Sequence, residues 1–237
     1  NYITITSIDK FNSIIDEINK VGIFAIDIET DSLDIEKANL VGISLCHNEN
    51  FAYYIPISHK DFLNKTKIQE QIPEKKILSS INSICSNTSI LKVGQNIKYD
   101  MRVLKKYGIE FNAIADTMLM SYALDNGITR HGMDDLAFLH FNHSTIKFKD
   151  VVGSGKKQIS FDYVNLEEAT EYAAEDALIT FKLFNFLKER LVKEKSSNVY
   201  EKIDKPLIHV LCLMEGCGIK IDQKYLKQLS LEFQNQS

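Results

Sequence analysis

The sequence lacks the features that mark membrane, secreted and zinc-binding proteins. No apolar run approaches the length of a membrane span, and the N-terminus carries no signal-peptide pattern. The 4 cysteines include no CxxC pair, so zinc binding by thiols is disfavoured and we expect buried free thiols in a reducing cytosol. The chain starts with Asn1 rather than methionine, which predicts a piece of a longer protein.

Excess positive charge is also missing. The 28 Lys and Arg residues are outnumbered by 32 Asp and Glu residues, which gives a net charge of −4. Any binding of nucleic acid must therefore depend on local basic patches or on bound metal ions. The stretch Gly153-Ser154-Gly155-Lys156 is not a phosphate-binding P-loop, because the required spacing and the following serine or threonine are absent.

The pattern that is present is that of an α/β fold. An amphipathic helix over 8–20 precedes a buried strand that ends in Asp27 and Glu29. Two more strands between residues 40 and 57 make an antiparallel meander with it. From residue 90 onward strands and helices alternate, which implies parallel neighbouring strands. We therefore predict a mixed five-stranded sheet, an antiparallel meander plus parallel strands, flanked by helices on both faces.

A long helix is predicted from Asn165 onward. Asn165 with Glu168 three residues later forms a capping box, and the apolar residues that follow keep helical spacing. The polar stretch at 195–198 indicates a boundary. The remainder is too short to form a domain alone, so we divide the chain into a domain over 1–194 and an incomplete segment over 195–237.

Asp27 and Glu29 are the first candidates for a functional site. Side chains on a strand alternate between its faces, so both carboxylates point the same way and their apolar neighbours point the other way. Two acids side by side at the end of a buried strand repel each other, and a divalent metal ion is the simplest compensation. The alternative is a strand that has reached the surface, where acidic residues are ordinary.

Two further acids are expected near this pair. Asp100 follows a strand that we place parallel to the first, so the carboxyl ends of both strands emerge at one edge of the sheet. Asp176 lies on the long helix, and Tyr172 shares its face one turn earlier. These two could be an ordinary surface pair, but the alanines beside them predict a closely packed helix. Oxygen-only ligands of this kind suit Mg²⁺ or Mn²⁺, and two-metal sites cleave phosphodiesters.

These residues also carry a resemblance to a known family. Asp27-Ile28-Glu29-Thr30, Gln95-Asn96 with Tyr99-Asp100, and Tyr172-Ala173-Ala174-Glu175-Asp176 resemble the three motifs of the DEDD exonucleases with tyrosine in the last motif. The resemblance is strongest to the proofreading 3′–5′ exonuclease domain of bacterial DNA polymerase I. Ile28 departs from the family's threonine but faces away from the acids. Residues 199–227 resemble the opening of the polymerase region.

The resemblance implies a ribonuclease H-like fold and a 3′–5′ exodeoxyribonuclease that releases nucleoside 5′-monophosphates. It implies two divalent metal ions, Mg²⁺ or Mn²⁺, with Zn²⁺ possible in one site. Asp27 would bridge both ions, Glu29 and Asp176 would complete one site, and Asp100 would hold the second ion. Tyr172 and Glu29 would orient the attacking water.

The resemblance also implies a grip on the DNA terminus. Leu33, which we expect to be exposed, would hold the terminal bases apart together with Phe148, because stacking grips single strands without sequence preference. Alternatives remain for other residues: Asn96 could cap the next helix, and Arg130 could form a surface salt bridge. His131 is expected to make a structural hydrogen bond. The implied DNA contacts are Thr30, Leu33, Gln95, Asn96, Tyr99, Arg130 and Phe148.

Partners and competing functions follow from the same resemblance. The expected partners are the single-stranded 3′ end of DNA and the polymerase domain of the same full-length chain, with no membrane, in the bacterial cytoplasm, and the fragment is expected to be monomeric. One alternative is an RNase D-like exoribonuclease, against which the polymerase-like tail argues. A second is a catalytically silent scaffold domain of a polymerase, against which the presence of all four acids argues.

Overall fold

A sheet of 6 strands forms the centre of the fold in the computed structural model, which describes residues 1–128 and 130–236, apart from the side chains of Lys156 and Gln236. The strands are β1 (Tyr2–Thr4), β2 (Ile23–Thr30), β3 (Leu40–Cys46), β4 (Ala52–Pro56), β5 (Leu91–Gly94) and β6 (Ile114–Asp116). The helices are α1 (Ile8–Val21), α2 (Glu74–Ser86), α3 (Lys98–Lys105), α4 (Thr117–Asp125), α5 (Met133–Phe141), α6 (Phe148–Val152), α7 (Leu166–Lys193), α8 (Ser197–Val199), α9 (Lys205–Cys217) and α10 (Gln223–Gln236).

The strand order is β1-β4-β3-β2-β5-β6. β2 pairs antiparallel with β3 and parallel with β5, so the predicted mixed sheet is confirmed. The predicted number of five strands is wrong, because β1 adds a sixth strand at the edge, parallel to β4. β1 is only 3 residues long, which is too short to show an alternating pattern.

Two hydrophobic cores cover the two faces of the sheet, as side-chain alternation along β2 requires. Ile26 belongs to the core that contains Phe11 of α1 and Ile81 of α2. Ala25, the preceding residue, belongs to the core on the opposite face, together with Leu187 of α7. The next inward position on the α7 side is Asp27, so the acids of β2 point toward this helix.

α7 packs closely against β2 because the residues on its inner face have small side chains. Its first turn is capped by Asn165, whose side-chain oxygen accepts a hydrogen bond from the backbone N–H of Glu168 at 2.9 Å. Ala173, Ala174 and Ala177 are 0% exposed, so the helix backbone comes close to the strands beneath it. This packing places the functional face of α7 beside the end of β2.

The segment after α7 packs against the rest of the chain. The Tyr200 hydroxyl accepts a hydrogen bond from the backbone N–H of Asp116 at 2.9 Å, and Ile208 of α9 joins the core beneath α3. The Glu215 carboxylate accepts hydrogen bonds from Lys98 and, at 3.0 Å, from Arg102. The C-terminal segment therefore packs against the first two turns of α3.

The structure tests two expectations from the sequence: that the cysteines are free and buried, and that no segment spans a membrane. All 4 cysteines are free, and Cys46 and Cys85 are buried as expected. The expectation of burial is wrong for Cys217, which is exposed at the end of α9. Within the part of the chain that the structure describes, no helix has both the length and the apolar character needed to cross a bilayer.

Candidate metal centre and active site

Three carboxylates meet between β2 and α7. One oxygen from each of Asp27, Glu29 and Asp176 lies within 4.8 Å of the other two. Glu29 and Asp176 are buried, and Asp27 is half-buried. The strand supplies two of these carboxylates on one face, and the closely packed helix supplies the third. Clustered carboxylate oxygens are the donors that hard divalent cations prefer.

Asp100 lies beside this group without joining it. It is buried in the first turn of α3, and its charge interacts with that of Asp27. Its helix is oriented by Asp116, a residue to which the sequence analysis gave no role. The Asp116 carboxylate accepts hydrogen bonds from the backbone N–H groups of Asn96 at 3.2 Å and Ile97 at 2.9 Å. Asp116 also caps α4, and an aspartate directly before a helix was the signal that could have identified it.

Burial and mutual repulsion dominate the electrostatics of the cluster. Burial raises the pKa of Asp27 to about 7. The pKa of Glu29 lies well above its usual value, first because of burial and then because of the charges of Asp27 and Asp176. Burial and the charge of Asp27 raise the pKa values of Asp100 and Asp176 in the same direction. Burial and repulsion therefore favour the protonated forms of these acids when no cation is present, and a divalent ion would supply the missing positive charge.

Tyr172 stands one helical turn before Asp176 on α7. Burial, together with the charge of Asp176, raises the pKa of its hydroxyl far above neutral pH, so the hydroxyl keeps its proton and can donate a hydrogen bond. The ring is fixed by two aromatic neighbours, with centroid distances of 5.9 Å to Phe161 and 6.0 Å to Phe148. Tyr172 is therefore positioned to hold a polar group at the carboxylate cluster.

Phe148 and Leu33 are two exposed apolar residues that the sequence analysis assigned to this site. The Phe148 ring is 38% exposed and stacks on Phe161 with a centroid distance of 6.2 Å and an angle of 8° between the rings. Leu33 is 86% exposed in the turn after β2, as the sequence analysis expected. The sequence analysis missed Phe161, because no local pattern before α7 shows that this ring packs on Phe148 and Tyr172.

The turn that carries Leu33 is held by Thr30 and Tyr99. Their hydroxyl oxygens are 2.8 Å apart, and both lie within hydrogen-bond distance of the Ser32 carbonyl oxygen, at 2.9 and 3.1 Å. Thr30 of β2 and Tyr99 of α3, both predicted to contact DNA, are thus joined at the turn that carries Leu33. Their hydroxyl groups already have partners within the protein.

Gln95 and Asn96 occupy the turn between β5 and α3 in different ways. The Gln95 amide nitrogen donates to the His131 carbonyl oxygen at 2.9 Å, and its amide oxygen accepts from the Thr117 hydroxyl. Asn96 is exposed and has a φ of 59°, a left-handed conformation that asparagine tolerates well. The N-cap position of α3 belongs to Ile97, so the alternative that Asn96 caps this helix is wrong.

Arg130 and His131 complete the set of predicted residues. Arg130 is exposed, and among the described residues it forms no ion pair, so the salt-bridge alternative is not realised. His131 is buried, and its Nδ1 lies 2.8 Å from the Ser121 hydroxyl oxygen. The predicted structural role of His131 is thereby confirmed.

Comparison with known proteins shows that the sequence matches one family model and several longer relatives. A family model described as 3′–5′ exonuclease matches residues 2–192. DNA polymerase I of Rhizobium leguminosarum is 41% identical over 244 residues, which cover 98% of this chain and 24% of the relative. DNA polymerase I of Pseudomonas aeruginosa is 37% identical over 91% of this chain and 24% of its own length. The chain thus spans about a quarter of the length of these relatives.

A solved structure shows the same fold at low sequence identity. NrnC of Brucella melitensis superposes with a TM-score of 0.67 at 21% identity, over 93% of this chain and 98% of NrnC. This likeness supports the predicted ribonuclease H-like architecture. Because the family model covers most of the chain, the family predicted from the three motifs is confirmed: the chain belongs to the 3′–5′ exonuclease family and corresponds to the exonuclease region of its DNA polymerase I relatives.

Proposed function

We propose that the chain removes nucleotides one at a time from the single-stranded 3′ end of DNA and acts as the proofreading domain of a DNA polymerase I. The observation that carries the proposal is the cluster of Asp27, Glu29 and Asp176, whose oxygens lie within 4.8 Å of one another. Tyr172, with Phe148 packed against its ring, and the exposed Leu33 supply the groups that such a reaction needs around its metal ligands.

The donor set fits hard divalent cations. Glu29 and Asp176 would hold one Mg²⁺ or Mn²⁺ ion with Asp27, while Asp27 and Asp100 would share a second ion. The elevated pKa values of these acids support this assignment, since buried carboxylates without a counter-charge are costly. Bound ions of this kind lower the pKa of water and stabilise the oxygen that leaves a phosphodiester.

The protein's own residues would orient the reactants. Tyr172 keeps its hydroxyl proton and can donate a hydrogen bond to the attacking water, while the Glu29 carboxylate can accept one from it. Hydrolysis at the terminal phosphodiester would release a nucleoside 5′-monophosphate and leave a new 3′ hydroxyl on the shortened strand.

Substrate binding would depend on stacking and on a few polar contacts. Leu33 and Phe148 are both exposed and would separate the terminal bases, which favours an unpaired end over a duplex. Asn96 and Arg130 are both exposed and would supply polar contacts to the nucleotide and to a phosphate. Gln95, Thr30 and Tyr99 would act mainly through the turns that they stabilise.

The partner of this domain would be a polymerase region in the same chain. The DNA polymerase I relatives are about four times longer than the matched region, which supports this proposal. We place the end of the exonuclease domain at residue 194 and the opening of the polymerase region at 195–237. Contacts of Glu215 with α3 would then couple the two regions.

Digestion of oligonucleotides tests the proposal. A single-stranded DNA labelled at its 5′ end is incubated with the protein and Mg²⁺ or Mn²⁺, with an EDTA control and a matched duplex and RNA of the same sequence. We expect a ladder that shortens from the 3′ end, mononucleotide products, slower cleavage of the duplex, and no cleavage in EDTA. Faster cleavage of RNA would favour the exoribonuclease alternative, and no cleavage of any substrate would favour a silent scaffold.

A further inference from the structure

Glu175, the residue directly before the metal-ligand candidate Asp176, is buried and its carboxylate faces a different part of the protein. Neighbouring residues on a helix project about 100° apart, so Asp176 can face β2 while Glu175 faces the segment between α5 and α6. The Glu175 residue is 4% exposed. A carboxylate buried to this degree needs partners, and both of its oxygens have one.

Both oxygens hold the same short segment. Oε1 lies 2.8 Å from Nε2 of His143, and Oε2 accepts a hydrogen bond from the backbone N–H of Ile146 at 2.7 Å. Phe148 follows this segment two residues later, at the first position of α6. We name this arrangement of Glu175, His143 and Ile146 the clasp.

A second carboxylate, that of Asp134, holds the same segment. Asp134 of α5 accepts a hydrogen bond from the Thr145 hydroxyl at 2.5 Å and from the Lys147 ammonium at 2.6 Å. The clasp is the more buried of the two attachments, because the Glu175 side chain is 6% exposed and that of Asp134 is 47% exposed. Removal of a buried partner costs more than removal of a surface one.

We propose that Glu175 is a positioning residue that sets the place of Phe148 at the DNA terminus through the clasp. The inference rests on the proposed function, because it gives Phe148 the role of gripping the terminal base. The α7 helix would then carry three tasks within five residues: Tyr172 orients water, Glu175 fixes Phe148, and Asp176 binds metal.

Steady-state kinetics on single-stranded DNA with Mn²⁺ test the proposal through Glu175→Gln and His143→Ala. Each should raise KM about fivefold, the scale of one net hydrogen bond, while kcat changes by less than about twofold. Glu189→Gln, an exposed glutamate on the same helix, serves as the matched control and should match the parent. His143→Ala is informative because His143 is 41% exposed and does not belong to the carboxylate cluster.

The decisive comparison is a double-mutant cycle with Phe148→Ala. If the clasp acts through Phe148, adding Glu175→Gln to Phe148→Ala leaves KM unchanged relative to Phe148→Ala alone. Losses that multiply in the double variant, a fall of kcat at constant KM, or a Phe148→Ala protein that behaves like the parent would each overturn the inference. An inactive parent would instead contradict the proposed function itself.

A fluorescence measurement tests the clasp without any turnover. The sequence contains 0 tryptophans, so Phe148→Trp introduces a single fluorescent tryptophan at position 148. Adding Glu175→Gln should shift the emission to longer wavelength and increase quenching by acrylamide, whereas adding Glu189→Gln should do neither. Identical emission and quenching with and without Glu175→Gln would overturn the inference.

Discussion

The hydroxyl oxygens of Thr30 and Tyr99 are 2.8 Å apart, which joins the end of β2 to the first turn of α3. β2 carries Asp27 and Glu29, and α3 carries Asp100, so this contact connects the two elements that supply acids from the sheet edge. It also lies beneath the turn that presents Leu33. Changes at this contact should therefore affect substrate binding more than metal binding.

Tyr99→Phe tests this relationship. Loss of the hydroxyl removes its contacts with Thr30 and Ser32, so the turn that carries Leu33 should loosen. We expect KM for single-stranded DNA to rise about fivefold, while kcat stays within about twofold. Tyr225→Phe, at an exposed tyrosine in α10, is the control. A large loss of kcat without a change in KM would show that Tyr99 acts on the chemical step instead.

Replacement of Asp176 by alanine should abolish turnover. It removes one of the three clustered carboxylates that would bind metal, rather than a contact with substrate. The measurement is the rate of mononucleotide release with saturating Mn²⁺, and Asp9→Asn, at an exposed aspartate, is the control. Substantial activity in Asp176→Ala would mean that the reaction does not depend on this cluster.

Tyr172→Phe should retain the stacking of the ring while losing the hydrogen bond of the hydroxyl. Removal of a group that positions a proton-transfer partner typically costs roughly 10²–10⁴-fold in rate. We expect kcat to fall within that range and KM to change little, because the ring contacts with Phe148 and Phe161 remain. Activity equal to that of the parent would remove the hydroxyl from the mechanism.

Metal-free stability should depend on pH in a defined direction. The pKa of Asp27 rises from 3.8 to about 7 on folding, so the folded state binds more protons than the unfolded state between these values. This contribution to stability is complete below pH ~4 and is lost as the pH rises through ~7. The other three acids have pKa values shifted in the same direction. In EDTA, the melting temperature should therefore fall as the pH rises toward ~7.

Asp27→Asn should reduce this dependence. The amide cannot ionise, so above pH ~7 the variant should melt about 5 °C higher than the parent in EDTA, on the scale of 1–2 kcal/mol for a chain of this size. Added Mn²⁺ should raise the melting temperature of the parent and barely change that of the variant. If Asp27→Asn melts lower than the parent in EDTA, hydrogen bonds stabilise the charged Asp27 more than its neighbours repel it.

The sequence predicts those parts of the candidate site whose residues are placed by the regular geometry of strands and helices. Strand alternation put Asp27 and Glu29 on one face, and helical spacing put Tyr172 and Asp176 on another. The parallel pairing of β2 with β5 brought Asp100 to the same edge. These relations follow from backbone geometry that local patterns reveal.

The remaining features depend on contacts between distant segments that no local pattern records. β1 forms only because β4 offers an edge for its 3 residues. Phe161 becomes part of the site through its ring contacts with Phe148 and Tyr172. Lys92 lies in the strand β5 yet is 0% exposed, because its ammonium donates to the carbonyl oxygens of Asn87 and Ile90 at 2.7 and 2.6 Å. Tertiary packing decides each of these cases.

The most direct test of the metal centre is anomalous diffraction from crystals soaked with Mn²⁺ and a nucleoside 5′-monophosphate. We predict an anomalous peak coordinated by Asp27, Glu29 and Asp176, with the phosphate of the nucleotide beside it and a second ion near Asp100. The same soak of Asp27→Asn crystals should show both peaks weakened or lost. A nucleotide bound without any metal at these carboxylates, or Mn²⁺ bound only at other residues, would contradict the assignment of this cluster as the catalytic metal site.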